Sequence, residues 1–282
     1  TLLNSNIFDQ IPPYYLGRNF MSHPSFTDLG TVYLSSENNH RKWVNQTRLH
    51  TKVDFELTFN EQKQQKVLRH NITMSPTYVL SEPLVLASSS INKNKKFSGR
   101  KDNLMFDLSL IYRFWDLICR IFRKRAWTDT WHVSVGIEQE PIETRTLTLS
   151  DRKDETGVPQ LILNGGEISQ LEKNTISAAL KGLGQILEQK GVGKLELSKN
   201  FLSGEYLDRQ DPINHHIGTA RMASSDSEGV VDKNLKIFDQ SNLYISSSAV
   251  FPTSSNANPT FTIVALSLRL GDHLKKKIMG NL

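Results

Sequence analysis

A single cysteine, Cys119, stands among the 282 residues, so neither an internal disulfide nor a cysteine-built zinc site is available. One cysteine leaves the redox compartment undecided. No apolar run reaches the ~18 residues a membrane-spanning helix needs, and none is expected. The first residues, Thr1-Leu-Leu-Asn-Ser5, form neither a Met start nor a signal peptide. Gly-x-Gly-x-x-Gly is also missing: Gly182-Leu-Gly184 lies inside a helical pattern and Gly191-Val-Gly193 follows one. The chain therefore lacks the loop that cradles a dinucleotide pyrophosphate. There is no internal repeat. No nucleic-acid-binding motif accompanies the net charge of +5. The local runs Lys93 to Lys101, Arg120 to Arg125 and Lys275 to Lys277 read as solvated faces and helix C-termini.

What is present suffices for a core. Apolar residues make up 38% of the chain, an ordinary share, and the length fits one large domain or two modest ones. Residues 1–45 show little periodicity, and His23 before Pro24 reads as an extended connector histidine. Val53, Phe55, Leu57 and Phe59 alternate with polar residues, which predicts a strand. Asn60 to Gln65 reads as a polar loop, and Lys66 to Met74 as the returning strand. Ser81 to Ala87 fits a strand or a helical turn, and Ser88 to Asn103 is a lysine-rich loop. Asn103 to Arg125 carries apolar residues at spacings of three and four and ends in cations, which predicts a packed helix rather than one lying on a membrane.

Trp131, Val133, Val135 and Ile137 alternate again. With Arg145 to Ser150 and Val158 to Leu163 they predict an antiparallel meander. Ile168 to Lys190 has a helical apolar face with Gly191 past its end. Gly229 to Asp232 and Leu235 to Ile237 are short strand-like pieces. Leu243 to Ser247 reads as a buried strand delivering Ser246 to Ser248 to a turn. A last helix is expected over 259–277.

The chemistry gathers near the C-terminus. Asp211-Pro-Ile-Asn-His215-His216-Ile-Gly218-Thr219-Ala-Arg221-Met222 offers a histidine pair beside a glycine that lets backbone pass close by. Arg221 is expected in a structural ion pair and Met222 in the core. Further on, Asn258-Pro259-Thr260 precedes the apolar run Phe261 to Leu270. Asn258 suits an N-cap and Pro259 a first helical residue. A helix N-terminus carries partial positive charge and free N–H groups, which suits an anion. A base candidate near such a helix end is an active-site constellation.

These segments resemble the C-terminal signature of the glucose–methanol–choline (GMC) flavoprotein oxidoreductases. The matching stretches, in order, are His215 to Met222, Gly229-Val-Val-Asp232, Asn242-Leu-Tyr244, Ser248-Ala-Val-Phe-Pro-Thr253 and Asn258 to Thr262. Leu16-Gly-Arg-Asn-Phe-Met-Ser-His23-Pro24 and Glu138-Gln139-Glu140-Pro141 resemble further family segments. Two departures stand out: Ala223 where many relatives have Gly, and Ser247 where many have Asp or Gly.

The resemblance implies an α+β fold. An antiparallel-sheet substrate domain would carry helices on one face, joined to the C-terminal elements of an α/β FAD-binding domain whose N-terminal part is missing. Residues 1–45 would connect from the flavin domain, 46–208 would bind substrate, and 209–282 would return to the flavin domain. The implied activity is FAD-dependent oxidation of an alcohol or sugar CH–OH group by hydride transfer. A dehydrogenase is expected before an oxidase, inactive without the missing part and passing electrons to an acceptor. By the same resemblance His215 and Asn258 are catalytic. Ser247, Ser248, Asn258, Pro259 and Thr260 face the cofactor. His216 either packs or contacts substrate. No metal is implied. The rival readings are a non-catalytic fragment and a basic membrane- or partner-binding module built on Asn103 to Arg125.

Overall fold

The computed structural model describes residues 14–35, 53–76, 130–208 and 215–280. The strands are β1 (Ser25–Leu34), β2 (Val53–Phe55), β3 (His70–Pro76), β4 (Thr130–Ile137), β5 (Thr146–Lys153), β6 (Pro159–Asn164) and β7 (Gly193–Leu197). The helices are α1 (Phe59–Gln65), α2 (Gln170–Gln189), α3 (Lys199–Ser203) and α4 (Thr260–Met279). One sheet has the order β2-β3-β4-β1-β7, and every neighbouring pair in it is antiparallel. The expected combination of antiparallel sheet and helices is therefore present. The expected helix over 103–125, the loop over 88–103 and the segments 81–87 and 211–214 lie outside the described residues. Among the described residues no helix is long and apolar enough to cross a membrane.

The alternation in β4 does what period two requires. Trp131, Val133, Val135 and Ile137 are all buried on one face of the sheet. From β1 come Phe26, Leu29 and Val32, and from β3 come Ile72 and Met74. Onto them α2 lays Ile176, Ala179, Leu180, Leu183 and Leu187, its apolar stripe at helical spacing. Each such side chain contributes about 1.5–3 kcal/mol by leaving water. A second core gathers Ala220, Val230, Val231, Leu235, Ile237, Val250 and Leu270, the last from α4.

One buried ion pair ties the loop before β5 to the N-terminus of α2. Ser169 and Glu172 form a capping box at the helix start. Glu172 also receives both terminal nitrogens of Arg145, at 2.7 and 2.8 Å, with both side chains at most 1% exposed. Arg145 donates further to the carbonyls of Glu167 at 2.7 Å and Glu140 at 3.2 Å. Its own carbonyl accepts from Phe20 N–H at 2.9 Å, so this anchor reaches the segment that enters the candidate site.

Several sequence expectations are corrected. Asn60 to Gln65 is not a loop but most of α1, started by a Thr58–Glu61 capping box and stopped by Lys66 in the left-handed conformation. The strand expected from Lys66 begins only at His70, and its buried residues are His70, Ile72 and Met74. The meander is split. β4 belongs to the five-stranded sheet, whereas β5 and β6 form a separate two-stranded sheet whose Leu161 and Ile162 are exposed. Leu243 to Ser247 forms no strand. Only Tyr244 pairs, in an isolated bridge with Lys236, because the segment is followed at once by the 3-10 turn Ser248–Val250.

Candidate active site

The His215 segment is threaded between two others. On one side Met21 and Ile217 exchange both backbone hydrogen bonds at 2.9 Å, and Gly17 N–H donates to the Thr219 carbonyl at 2.7 Å. On the other side Gly218, Ala220 and Met222 donate to the carbonyls of Ser248, Ala249 and Val250 at 3.2, 3.0 and 2.8 Å. The bend needed for this puts His215 at φ 59°, Gly218 at φ 82° and Thr219 at φ 75°. Positive φ is uncommon for histidine and a genuine outlier for a β-branched threonine. Such conformations persist only where surrounding bonds over-determine them. At Gly218 a Cβ would overlap the Asn19 carbonyl oxygen, so the backbone passes there as the glycine promised.

This bend leaves His215 and His216 exposed on a backbone whose next two residues, Ile217 and Gly218, are buried. Their rings have different neighbours. The His215 ring meets the His23 ring edge-on, with centroids 5.2 Å apart and planes at 61°. The His216 ring lies against Phe20 at 5.6 Å. Its carbonyl accepts from the Ser248 hydroxyl at 2.7 Å.

His23 is half-buried, and its Nε2 lies 3.2 Å from the Ser254 carbonyl oxygen. A carbonyl only accepts, so Nε2 carries the proton in this contact. Burial holds the His23 pKa below the ordinary histidine value of 6.5. The charge of His215 pushes the same way, while the Ser254 carbonyl and Glu138 oppose it.

The remaining expected site residues fall on two adjoining pieces. Ser247 caps the 3-10 turn, its hydroxyl accepting from Ala249 N–H at 3.1 Å. Asn258 and Thr260 are exposed and Pro259 is buried. The expected N-cap at Asn258 is corrected. Pro259 already has helical dihedrals (φ −75°, ψ −15°), it flanks α4, and no side chain caps the helix start. The first intrahelical bond runs from Ile263 N–H to the Pro259 carbonyl at 2.9 Å, leaving the N–H groups of Thr260, Phe261 and Thr262 ahead of it. No acidic residue lies in this first turn. Among the described residues no side-chain hydrogen bond joins Asn258 to either histidine. Arg221 forms no ion pair among them either; its guanidinium lies 4.8 Å from the Tyr15 ring centroid.

Two elements of the site were not assigned a role from sequence. His23 was expected to be a connector, and the Glu138-Gln139 pair carried only a motif match. The structure uses both. Gln139 Oε1 accepts from the backbone and hydroxyl of Ser22 at 2.8 and 3.0 Å. Ser255 N–H donates to Glu138 Oε1 at 2.9 Å. The signal that could have found them was the recurrence of both motifs in one framework.

Residues 141–267 match the family model described as GMC oxidoreductase. The chain is 30% identical over 142 residues to 2-methyl-1,2-propanediol dehydrogenase of Mycolicibacterium austroafricanum, covering 50% of this chain and 24% of that protein. It is 29% identical over 133 residues to the fructose dehydrogenase large subunit of Gluconobacter japonicus, covering 47% and 23%. These alignments thus span about a quarter of the relatives' own length. Among solved structures, pyridoxine 4-oxidase from Mesorbium loti aligns with a TM-score of 0.50 at 13% identity, over 92% of this chain and 43% of that one. That likeness concerns the fold alone.

Proposed function

Through residues 141–267 the chain belongs to the GMC oxidoreductase family, and from that premise we propose that it is the C-terminal portion of an FAD-dependent enzyme oxidising an alcohol or sugar CH–OH group. In this reading residues 1–45 connect from a flavin domain, 46–208 bind substrate, and 209–282 return to the flavin domain. The phosphate-binding loop would come from a further, N-terminal part.

The observation that carries the reading is His215 itself. It is exposed, bent outward at positive φ, and braced by a second imidazole. A neutral imidazole accepts a hydroxyl proton near neutral pH. Proton transfer by a positioned side chain contributes about 10²–10⁴-fold. Asn258, exposed and free of a capping bond, would hold the substrate oxygen through its amide. His216 would contact the substrate from its seat against Phe20.

The chain's own groups fit a flavin. The N–H groups of Thr260, Phe261 and Thr262 begin a helix with neither a side-chain cap nor an acidic residue in its first turn. Such donors suit the edge of a ring system that gains negative charge. Ser247, Ser248, Asn258, Pro259 and Thr260 would hold the cofactor there. FAD, when bound, supplies the acceptor for the hydride. A dehydrogenase, passing electrons to a separate acceptor, is the form we favour, in keeping with the names of both curated relatives.

The test is anaerobic mixing of the full-length, FAD-loaded enzyme, N-terminal part included, with a panel of polyols and sugars. Bleaching of the flavin band at roughly 450 nm by some member supports the reading. A flavin-loaded enzyme that no alcohol bleaches refutes it.

A further inference from the structure

We infer that His23 is a positioning residue for His215: its ring holds the His215 imidazole in place from a platform built by three separate segments. The inference rests on the assignment of His215 as the base. His23 lies just before Pro24, which keeps its backbone extended, and Ile137 N–H donates to the Pro24 carbonyl at 3.1 Å. Its neighbour Ser22 is bound twice by the buried Gln139 side chain. The acceptor of its own ring N–H, the Ser254 carbonyl, belongs to a residue only 4% exposed. The Ser254 hydroxyl lies within hydrogen-bond distance of both Gln139 N, at 3.2 Å, and Gln139 O, at 3.3 Å. Glu138 adds the bond from Ser255 N–H. The start of β1, the end of β4 and the loop leading to Asn258 therefore meet around one imidazole.

Against this anchored ring stands an exposed one. His215 is exposed, and no hydrogen bond to its imidazole is formed among the described residues. Its ring partner is the His23 imidazole, with centroids 5.2 Å apart, within the 4.5–7 Å range of favourable aromatic pairs. The groups whose charge bears on His23 are Glu138 and His215, of opposite effect. With its Nε2–H turned toward the Ser254 carbonyl, His23 presents the rest of its ring to His215. A base so held spends less time in unproductive rotamers, and a displacement of about 1 Å at such a group can cost ~10²-fold.

The experiment has two arms. In the 282-residue chain labelled with ¹³C-histidine, His23→Leu should shift the His215 ring C–H resonance toward that of a freely exposed histidine and sharpen it. His23→Phe, which restores an aromatic edge, should return it most of the way. In the FAD-loaded enzyme His23→Leu should slow flavin reduction by about 10- to 100-fold, with KM changed far less, and His23→Phe should recover most of the loss. If His23→Leu does not fold, His23→Gln replaces it, keeping a donor for Ser254 without the ring. A His215 resonance unmoved by loss of the ring overturns the proposal. So does equal activity of the leucine (or glutamine) and phenylalanine variants. Failure of the base assignment would show separately, as normal flavin reduction in His215→Ala while the parent chain still shows the His23-dependent shift of its His215 resonance.

Discussion

Replacing Glu172 with alanine should come close to unfolding the chain. Its carboxylate accepts four hydrogen bonds: two from Arg145 at 2.7 and 2.8 Å, one from Ser169 N–H at 2.8 Å and one from Glu140 N–H at 2.9 Å. Glu172→Ala leaves a guanidinium buried with only the Glu140 and Glu167 carbonyls to face. Breaking a buried ion pair from one side costs about 3–5 kcal/mol. Losing the carboxylate's half of the capping box, the bond from Ser169 N–H, adds about 1 kcal/mol while the Ser169 hydroxyl still caps the helix. The sum of roughly 4–6 kcal/mol compares with a total stability of about 5–15 kcal/mol for a domain. Urea unfolding followed by circular dichroism is the assay; at a slope of about 1–3 kcal/mol/M the midpoint should fall by more than about 1 M. The paired variant Arg145→Met/Glu172→Leu should recover much of the loss, since an apolar pair can replace a buried ion pair at little cost. A drop below about 1 kcal/mol in the single variant, too small for any broken buried pair, would refute this reasoning.

Gly218→Ala places a Cβ on the Asn19 carbonyl at φ 82°; it should unfold the His215 bend, detected as lost amide protection from residues 217 to 222 in hydrogen exchange, with the sheet core unaffected. His70 is fully buried, and burial lowers its pKa below 6.5. The unfolded chain therefore binds the extra proton first as pH falls. Stability is complete above about 6.5 and is lost as pH falls through the lower folded-state value; in His70→Gln the urea midpoint should depend less on pH across that window. The 282-residue chain, lacking a phosphate-binding loop, should emerge colourless from desalting after incubation with FAD, and a stoichiometric flavin spectrum would contradict the proposed N-terminal partner.

The sequence was most legible where one physical rule acted alone. β4 and α2 sit where their periods of two and 3.6 put them, because each buries one uninterrupted face. β1 was illegible for a specific reason. Asp28, at φ 56°, sits where the register with β4 shifts between Phe26 and Gly30, so its buried Phe26, Leu29 and Val32 recur at three rather than two. α1 is polar almost throughout, so no apolar period marks it; its signal was the capping pair Thr58 and Glu61. In the site, motif order located the His215 segment and the start of α4. The His23 contact joins residues 192 positions apart, and the Met21–Ile217 backbone bridge, which no local pattern announces, brings them together. The cap at Asn258 failed because Pro259 already carries helical dihedrals, which moves the flanking position one residue on.

The central claim is that His215, not its neighbour, takes the hydroxyl proton. Stopped-flow reduction of the FAD-loaded enzyme by its alcohol, comparing His215→Ala with His216→Ala, tests it most directly. His215→Ala should slow reduction by about 10²–10⁴-fold. His216→Ala should leave the rate nearly intact and act, if at all, on KM. Reduction at the parental rate in His215→Ala would contradict the account.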